Sequence, residues 1–471
     1  MLDILVQNGF VVVGSGKARF RADVGISGDR IVEVGLLPDA AAETVIDAED
    51  CVVTPGFVDM HSHSDFSLPI NPTADSQVQQ GITTAVVGQC GSTPAPLLEE
   101  TREQVVAAMA SEDRPLPWDE WSSFGDYLAY LANLGTSINV VPLLGQGMVR
   151  KGVMGFGSEA PSESQMARMQ AEVRRGMDDG AIGVSTGLIY PPGSYASTEE
   201  VVAFTRPAGE RDGFYFSHIR GEGQTLLAAV AEAIRIGRET GAAVQIAHFK
   251  AAGRENWDKS AEALQLIDQA RDEGLDVSAD LYPYLASSTG LGAMLPQWAH
   301  DGGKEAVLER LADADTRRKM VSDMASSGYS RGVEWDKVLI SRSPKNLAYE
   351  GRTVADLAAK DRKAPTDWVF DALLELDLDA SMVKFGMSEE NRMQELRHPA
   401  MMIGTDGYGL ATEGPLSTGV PHPRSYGTFP RVLGHYVRGL GVISLEEAVR
   451  KMSGLPAQKL RWTDRGPVSY T

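Results

Sequence analysis

The chain has 471 residues, 43% of them apolar and 23% charged, with a formal net charge of −20. That length suits a barrel-sized domain with a satellite, not one small domain. The acid excess, with no basic patch to offset it, excludes nucleic acid and anionic membrane surfaces as partners.

The opening residues 1–8 lack a basic region, a long apolar core and a cleavage site, so no signal peptide is expected. No apolar run is long enough to span a bilayer, and cytoplasm is the expected location. Two cysteines, Cys51 and Cys90, give no basis for a disulfide framework. Residues 1–54 read as short strands with tight turns. Ser27-Gly28-Asp29 separates two apolar runs and predicts a three-residue hairpin loop with glycine in a left-handed position. A small β-rich domain follows from this pattern.

From Pro55 the pattern changes to strand-length apolar runs alternating with amphipathic stretches, which predicts βα units and a parallel sheet. The expected strands are 56–61, 83–89, 138–145, 181–186, 213–218, 243–248, 276–282 and 400–405. Helices are expected at 164–178, 198–211, 224–240 and 259–273. Eight such strands predict a closed (β/α)8 TIM-like barrel within an α/β fold. The long gap between strands seven and eight predicts an insertion at about 287–346 on the catalytic face, where barrel loops form lids and specificity walls. A further helix at 445–453 is expected, with Ser444 at its cap. The expected division is therefore 1–54 for the small domain, 55–440 for the barrel and 441–471 for a C-terminal helix and tail.

The polar residues at the strand ends carry the chemistry. His61 and His63 are two apart, and residues two apart in a strand share a face. Two converging imidazoles make half of a zinc site. Cys90, His218, His248 and Asp406 each follow a short apolar run of their own. All six fall at the carboxyl ends of expected strands, the face where barrel active sites sit. Of eight histidines, four are placed this way, while His300, His398, His422 and His435 lie in loops or a helix and are not expected as ligands. Imidazole, thiolate and carboxylate together suit zinc. Zinc lowers the pKa of bound water to about 7 and polarises a carbonyl. Asp406, in Ile403-Gly404-Thr405-Asp406-Gly407, is placed to move the water proton to a leaving amine. Metal-assisted hydrolysis of an amide is the expected reaction, and no phosphate loop or serine nucleophile elbow competes with it. Lys250 is two residues past His248 and is expected to point into the same site, and Arg424 offers a bidentate fork.

These motifs resemble the amidohydrolase superfamily and, more closely, its D-aminoacylase (N-acyl-D-amino-acid deacylase) branch. The resemblance rests on residues 55–65, Gly81-Ile82-Thr83-Thr84, Gly88-Gln89-Cys90-Gly91, Gly187-Leu188-Ile189-Tyr190, Ser217-His218, Ala247-His248-Phe249-Lys250, Asp280-Leu281-Tyr282 and the block 422–431. It implies a tight zinc on Cys90, His218 and His248, and a second, weaker metal on His61, His63 and Asp406, with Asp406 also the acid/base. It implies that Lys250, Arg424, Tyr190 and Tyr282 grip the carboxylate and the scissile carbonyl of a small N-acyl-D-amino acid. Strand four has no lysine for a carboxylated bridge, which weakens a hydantoinase or dihydroorotase reading. A hydrolase of another amide, cyclic amide or lactone is the alternative; a non-catalytic binding protein is opposed by the complete ligand set. Members of the branch continue past the region matching Arg465-Gly466 with strands that return to the small domain. This chain ends at Thr471, so an exposed sheet edge is expected there. Side-chain preference, metal count and oligomeric state stay open at this point.

Overall fold

The computed structural model describes residues 1–111, 113–326 and 328–466. Eight strands run in chain order: Phe57–Asp59, Ile82–Val87, Asn139–Pro142 continued by Leu144–Gly145, Gly183–Gly187, Phe214–His218, Ala243–Ile246, Val277–Leu281 and Met401–Ile403. Each pairs in parallel with its neighbour, the third turning from the second strand to the fourth at Leu143. The sheet closes on itself. The Met60 N–H donates to the Ile403 carbonyl at 3.2 Å and the Asp406 N–H to the His61 carbonyl at 2.7 Å. Asp59 seals the seam, its two oxygens accepting from the Thr405 N–H at 2.7 Å and hydroxyl at 2.6 Å. The expected (β/α)8 barrel is therefore present, with its strands in the expected places.

Strands four to seven are buried along their whole length, as a sheet covered on both faces requires. Val58, Met60, Val86, Phe216 and Met402 fill the interior. Burying a side chain such as Phe216 contributes about 1.5–3 kcal/mol. The surrounding helices start and stop where their caps dictate. Glu163–Asp179 opens on a Ser162/Gln165 capping box and ends at Gly180 in the left-handed region.

Three expectations change. The Gly28 turn is two residues long, because Ser27 pairs directly with Arg30 and Gly28 takes the first turn position at φ +60°. The insertion runs to Phe385, not to 346. Its strand Val338–Arg342 pairs with Ser381–Phe385, which pairs in turn with Ala286–Gly290, and helices Val354–Lys360 and Pro365–Glu375 share the same separate core around Trp368 and Phe370. A local reading could not see a partner forty residues downstream. Lastly, the C-terminal helix continues as a π-helical turn at Arg450–Gly454 and then Leu455–Lys459. It packs into the barrel: Lys451 donates to the carbonyls of His398 and Met401, and Leu460 joins the interior core. Of the expected tail at 461–471, residues 467–471 lie outside the described residues.

The small domain pairs Arg30–Gly35, Asp23–Ser27, Leu2–Gln7 and Ala42–Asp47 in that order, beside a three-stranded sheet containing Val52–Val53. Its outer strands expose Val32 and Val45.

Candidate active site

At the carboxyl ends of the strands, the six expected metal ligands meet. Cys90 Sγ lies 3.5 Å from His61 Nε2, 3.6 Å from His218 Nδ1 and 3.6 Å from His248 Nε2. His248 Nε2 and His218 Nδ1 are 2.9 Å apart. Asp406 Oδ1 is 3.4 Å from His61 Nε2 and 3.2 Å from His63 Nε2. Two donor groups result, His61–His63–Cys90–Asp406 and Cys90–His218–His248, with the donor atoms of each within 4.8 Å of one another. Cys90 belongs to both. All six side chains are buried except the half-buried His63.

The backbone is bent to achieve this. Cys90, His248 and Asp406 have φ of 55°, 35° and 50°, a left-handed region costly for non-glycine residues. The strands stop and turn sharply, so three donors fold back over the barrel mouth. Gly187 keeps the space clear: a Cβ there would sit 2.1 Å from the Cys90 carbonyl oxygen.

The donor set fits a cation. Burial drives the His61 and His218 imidazoles below their usual range, which keeps their lone pairs free. Burial, and next the Asp406 charge, push the Cys90 thiol well up, so a bound cation is what would hold it as thiolate. Each remaining imidazole nitrogen of three ligands faces a carboxylate. Asp280 Oδ1 is 3.4 Å from His61 Nδ1, and Glu222 Oε1 is 3.6 Å from His218 Nε2 and 2.9 Å from His248 Nδ1. Such partners fix ring orientation and raise ligand basicity. Asp280 is itself fixed by the Gln245 amide at 2.8 Å and the His248 N–H at 2.8 Å.

Glu222 was not among the expected residues, and Asp280 was quoted without a role. Glu222 is four residues past His218, a spacing that could have flagged it. Burial alone would raise Glu222, but Lys250 and the two imidazoles overrule it and hold it well below the usual carboxylate range.

The expected carboxylate-binding residues are distributed unevenly. Arg424 is buried beside the metal ligands, with Nη1 2.6 Å from Asp406 Oδ2 and Nη2 donating to the Ser288 carbonyl at 3.1 Å. Burial opposes the Asp406 charge, yet Arg424 and the neighbouring imidazoles hold that carboxylate well below its usual range. Tyr282 is buried under Arg424, and its hydroxyl has no hydrogen-bond partner among the described residues. The Tyr190 hydroxyl meets Thr289 Oγ1 at 3.0 Å, and its ring stands edge-on to His218. Lys250 departs from expectation. Its Nζ is 2.5 Å from Glu222 Oε1 and 2.9 Å from His248 Nδ1, so its charge already has a partner. Strand six ends at Ile246, and simple alternation does not extend to Lys250.

A cavity of about 1240 Å³ opens beside the cluster at Glu222 and runs between the barrel mouth and the inserted sheet. The other four histidines lie outside it: His422, for instance, donates to the Ala286 carbonyl at 2.9 Å.

The amidohydrolase family model matches residues 44–469. The chain belongs to this family. Among curated amidohydrolase relatives, the D-aminoacylase of Alcaligenes xylosoxydans xylosoxydans is 36% identical, covering 99% of this chain and 85% of its own length. The N-acyl-D-glutamate deacylase of Bordetella bronchiseptica, solved with zinc and a phosphonate mimic of the tetrahedral intermediate, superposes with a TM-score of 0.82 at 32% identity, covering 99% of this chain and 88% of that one. A D-aminoacylase studied for its binuclear metal centre superposes with a TM-score of 0.80 at 34% identity, covering 100% of this chain and 89% of that one. No helix among the described residues is long and apolar enough to cross a membrane.

Proposed function

We propose that this amidohydrolase is a zinc-dependent deacylase that cleaves the amide of N-acyl-D-amino acids, releasing a carboxylate and a free D-amino acid. The observation that carries the reading is Asp406. One of its oxygens faces two donor imidazoles while the other holds an arginine. Similarity over nearly the whole chain to deacylases supports the substrate class, and the zinc in one of those relatives supports the metal.

Cys90, His218 and His248 would hold a tightly bound zinc, and His61, His63 and Asp406 a weaker second ion, Cys90 being within reach of both. The metal would supply an activated water and polarise the acyl carbonyl. Asp406 Oδ1 takes the proton of the attacking water and returns it to the amide nitrogen as the amine leaves. A carboxylate held this far below its usual range stays ionised at neutral pH, ready as a base. Arg424 binds the α-carboxylate of the substrate through the N–H groups that neither Asp406 nor Ser288 engages. The free Tyr282 hydroxyl donates to a substrate oxygen, and Tyr190 walls the site beside His218. Lys250 locks Glu222, and through it His248, in position.

The test is amine release from N-acetyl-D- and N-acetyl-L-amino acids by zinc-loaded protein, with Asp406→Asn alongside. D-selective turnover, reduced about 10²–10⁴-fold in the variant, is expected for loss of the acid/base. Turnover of L substrates, or an Asp406→Asn variant as active as the parent, would refute the reading.

A further inference from the structure

The inserted sheet contributes a basic group to the cavity beside the donor cluster, and the chemistry above leaves it unused. Ala286–Gly290 runs antiparallel to Ser381–Phe385, with Ser287 directly opposite Lys384. Directly opposed residues project from the same face of a sheet. Both line the cavity beside Glu222. A short chain of contacts joins this face to the metal ligands. Ser287 Oγ is 3.0 Å from the Tyr329 hydroxyl, and two residues on, Thr289 Oγ1 is 3.0 Å from the Tyr190 hydroxyl. The Tyr190 ring then meets His218 at 5.0 Å. Arg424 reaches the same strand at the Ser288 carbonyl.

Among the described residues no acid is bonded to Lys384. Its Nζ donates to the Tyr329 carbonyl at 2.6 Å and lies 3.9 Å from the centre of the Tyr329 ring, and among the described residues it forms no ion pair. Glu222 is committed to Lys250 at 2.5 Å. Burial drives the Lys384 ammonium down to about 8, with the charges of Glu222 and Glu255 opposing it only in part. The other cavity cations differ. Arg220 is bound to Glu232 at 2.9 Å, Lys337 to Glu334 at 3.0 Å, and Arg254 and Arg331 are exposed.

We propose that Lys384, with the Ser287 hydroxyl beside it, receives the side-chain carboxylate of the substrate, so that the enzyme prefers N-acyl-D-amino acids with acidic side chains. This rests on the deacylase reading and adds the side-chain class to it. Arg424 and Lys384 meet neighbouring positions of one strand, Arg424 at the Ser288 carbonyl and Lys384 opposite Ser287. A substrate whose α-carboxylate is held by Arg424 would extend an acidic side chain along this strand toward Ser287 and Lys384. A half-buried ammonium gains a charge-assisted bond to an acidic side chain. A neutral side chain would cover it without pairing it, which is the costlier outcome.

The experiment compares kcat/KM for the N-acetyl derivatives of D-glutamate, D-aspartate, D-leucine and D-methionine. The zinc-loaded wild type, Lys384→Met and Lys384→Arg are assayed together, and inhibition of the wild type by free D-glutamate and D-leucine is measured alongside. The wild type should favour acidic substrates and be inhibited more strongly by D-glutamate. Lys384→Met should lower the acidic-to-neutral ratio at least tenfold, mainly through KM, and Lys384→Arg should restore most of it. An unchanged ratio in Lys384→Met, or a wild type that prefers D-leucine and binds it more tightly than D-glutamate, overturns the proposal and leaves the deacylase reading standing. Absence of turnover on all four by the zinc-loaded wild type overturns both.

Discussion

Glu222 places one carboxylate oxygen 2.5 Å from Lys250 Nζ, 2.9 Å from His248 Nδ1 and 3.6 Å from His218 Nε2, two of the candidate ligand imidazoles. Glu222→Gln removes the charge but keeps the shape. It leaves the buried Lys250 without an ionic partner and both rings without their carboxylate. Loss of such an outer carboxylate costs about 10–100-fold in metal affinity. Competition against a chromophoric chelator should read that loss, with Glu222→Asp intermediate. The convergence of the six donor side chains was legible because each stands at the end of an apolar run. Glu222 was not, since it lies in the loop beyond strand five and becomes a partner only once the loop folds back. Lys250 shows the same limit in reverse. Its place near His248 was readable, but its charge was already taken by a residue the sequence did not point to.

At the scale of elements, the seam between strands one and eight depends on Asp59. Its carboxyl is fully buried, and burial, tempered by bonds from Thr405, raises its pKa to about 7. The folded value therefore lies above the unfolded value of about 4. The stability contributed by this group is complete below about pH 4 and is lost as pH rises through about 7. Melting temperatures from pH 5 to 8 should decline in the wild type, and the decline should be shallower in Asp59→Asn. A steeper decline in the variant would contradict this assignment. The eight strands were readable because each is a continuous buried run. The extent of the insertion was not, because Val338–Arg342 finds its partner at Ser381–Phe385 only through a tertiary pairing. The π-helical turn at Arg450–Gly454 likewise has no local signature and shows itself only in how Lys451 is bonded.

For the molecule as a whole, an ion in the proposed site would link metal and fold. The candidate ligands come from strands one, two, five, six and eight, so an ion bound there would bridge most of the barrel. Binding that is specific to the folded state stabilises it by about 4 kcal/mol when the ligand stands at a thousandfold its Kd. Chelated protein should therefore melt several degrees below the zinc-loaded form, and re-adding zinc should restore the difference. An identical melting temperature in both forms would mean that the ligands do not bind metal in the folded state.

The closing bond of the barrel joins Asp59 to Thr405, residues separated by 346 positions in the chain. His61, two residues past Asp59, and Asp406, next to Thr405, lie in the same donor group. A ribosome that has released everything up to strand seven has therefore made only part of that coordination sphere. The His61–His63–Cys90–Asp406 group is completed only when the last strand docks against the first. A cobalt ion bound there would change colour when that group is completed, so its spectrum would report the closing of the barrel.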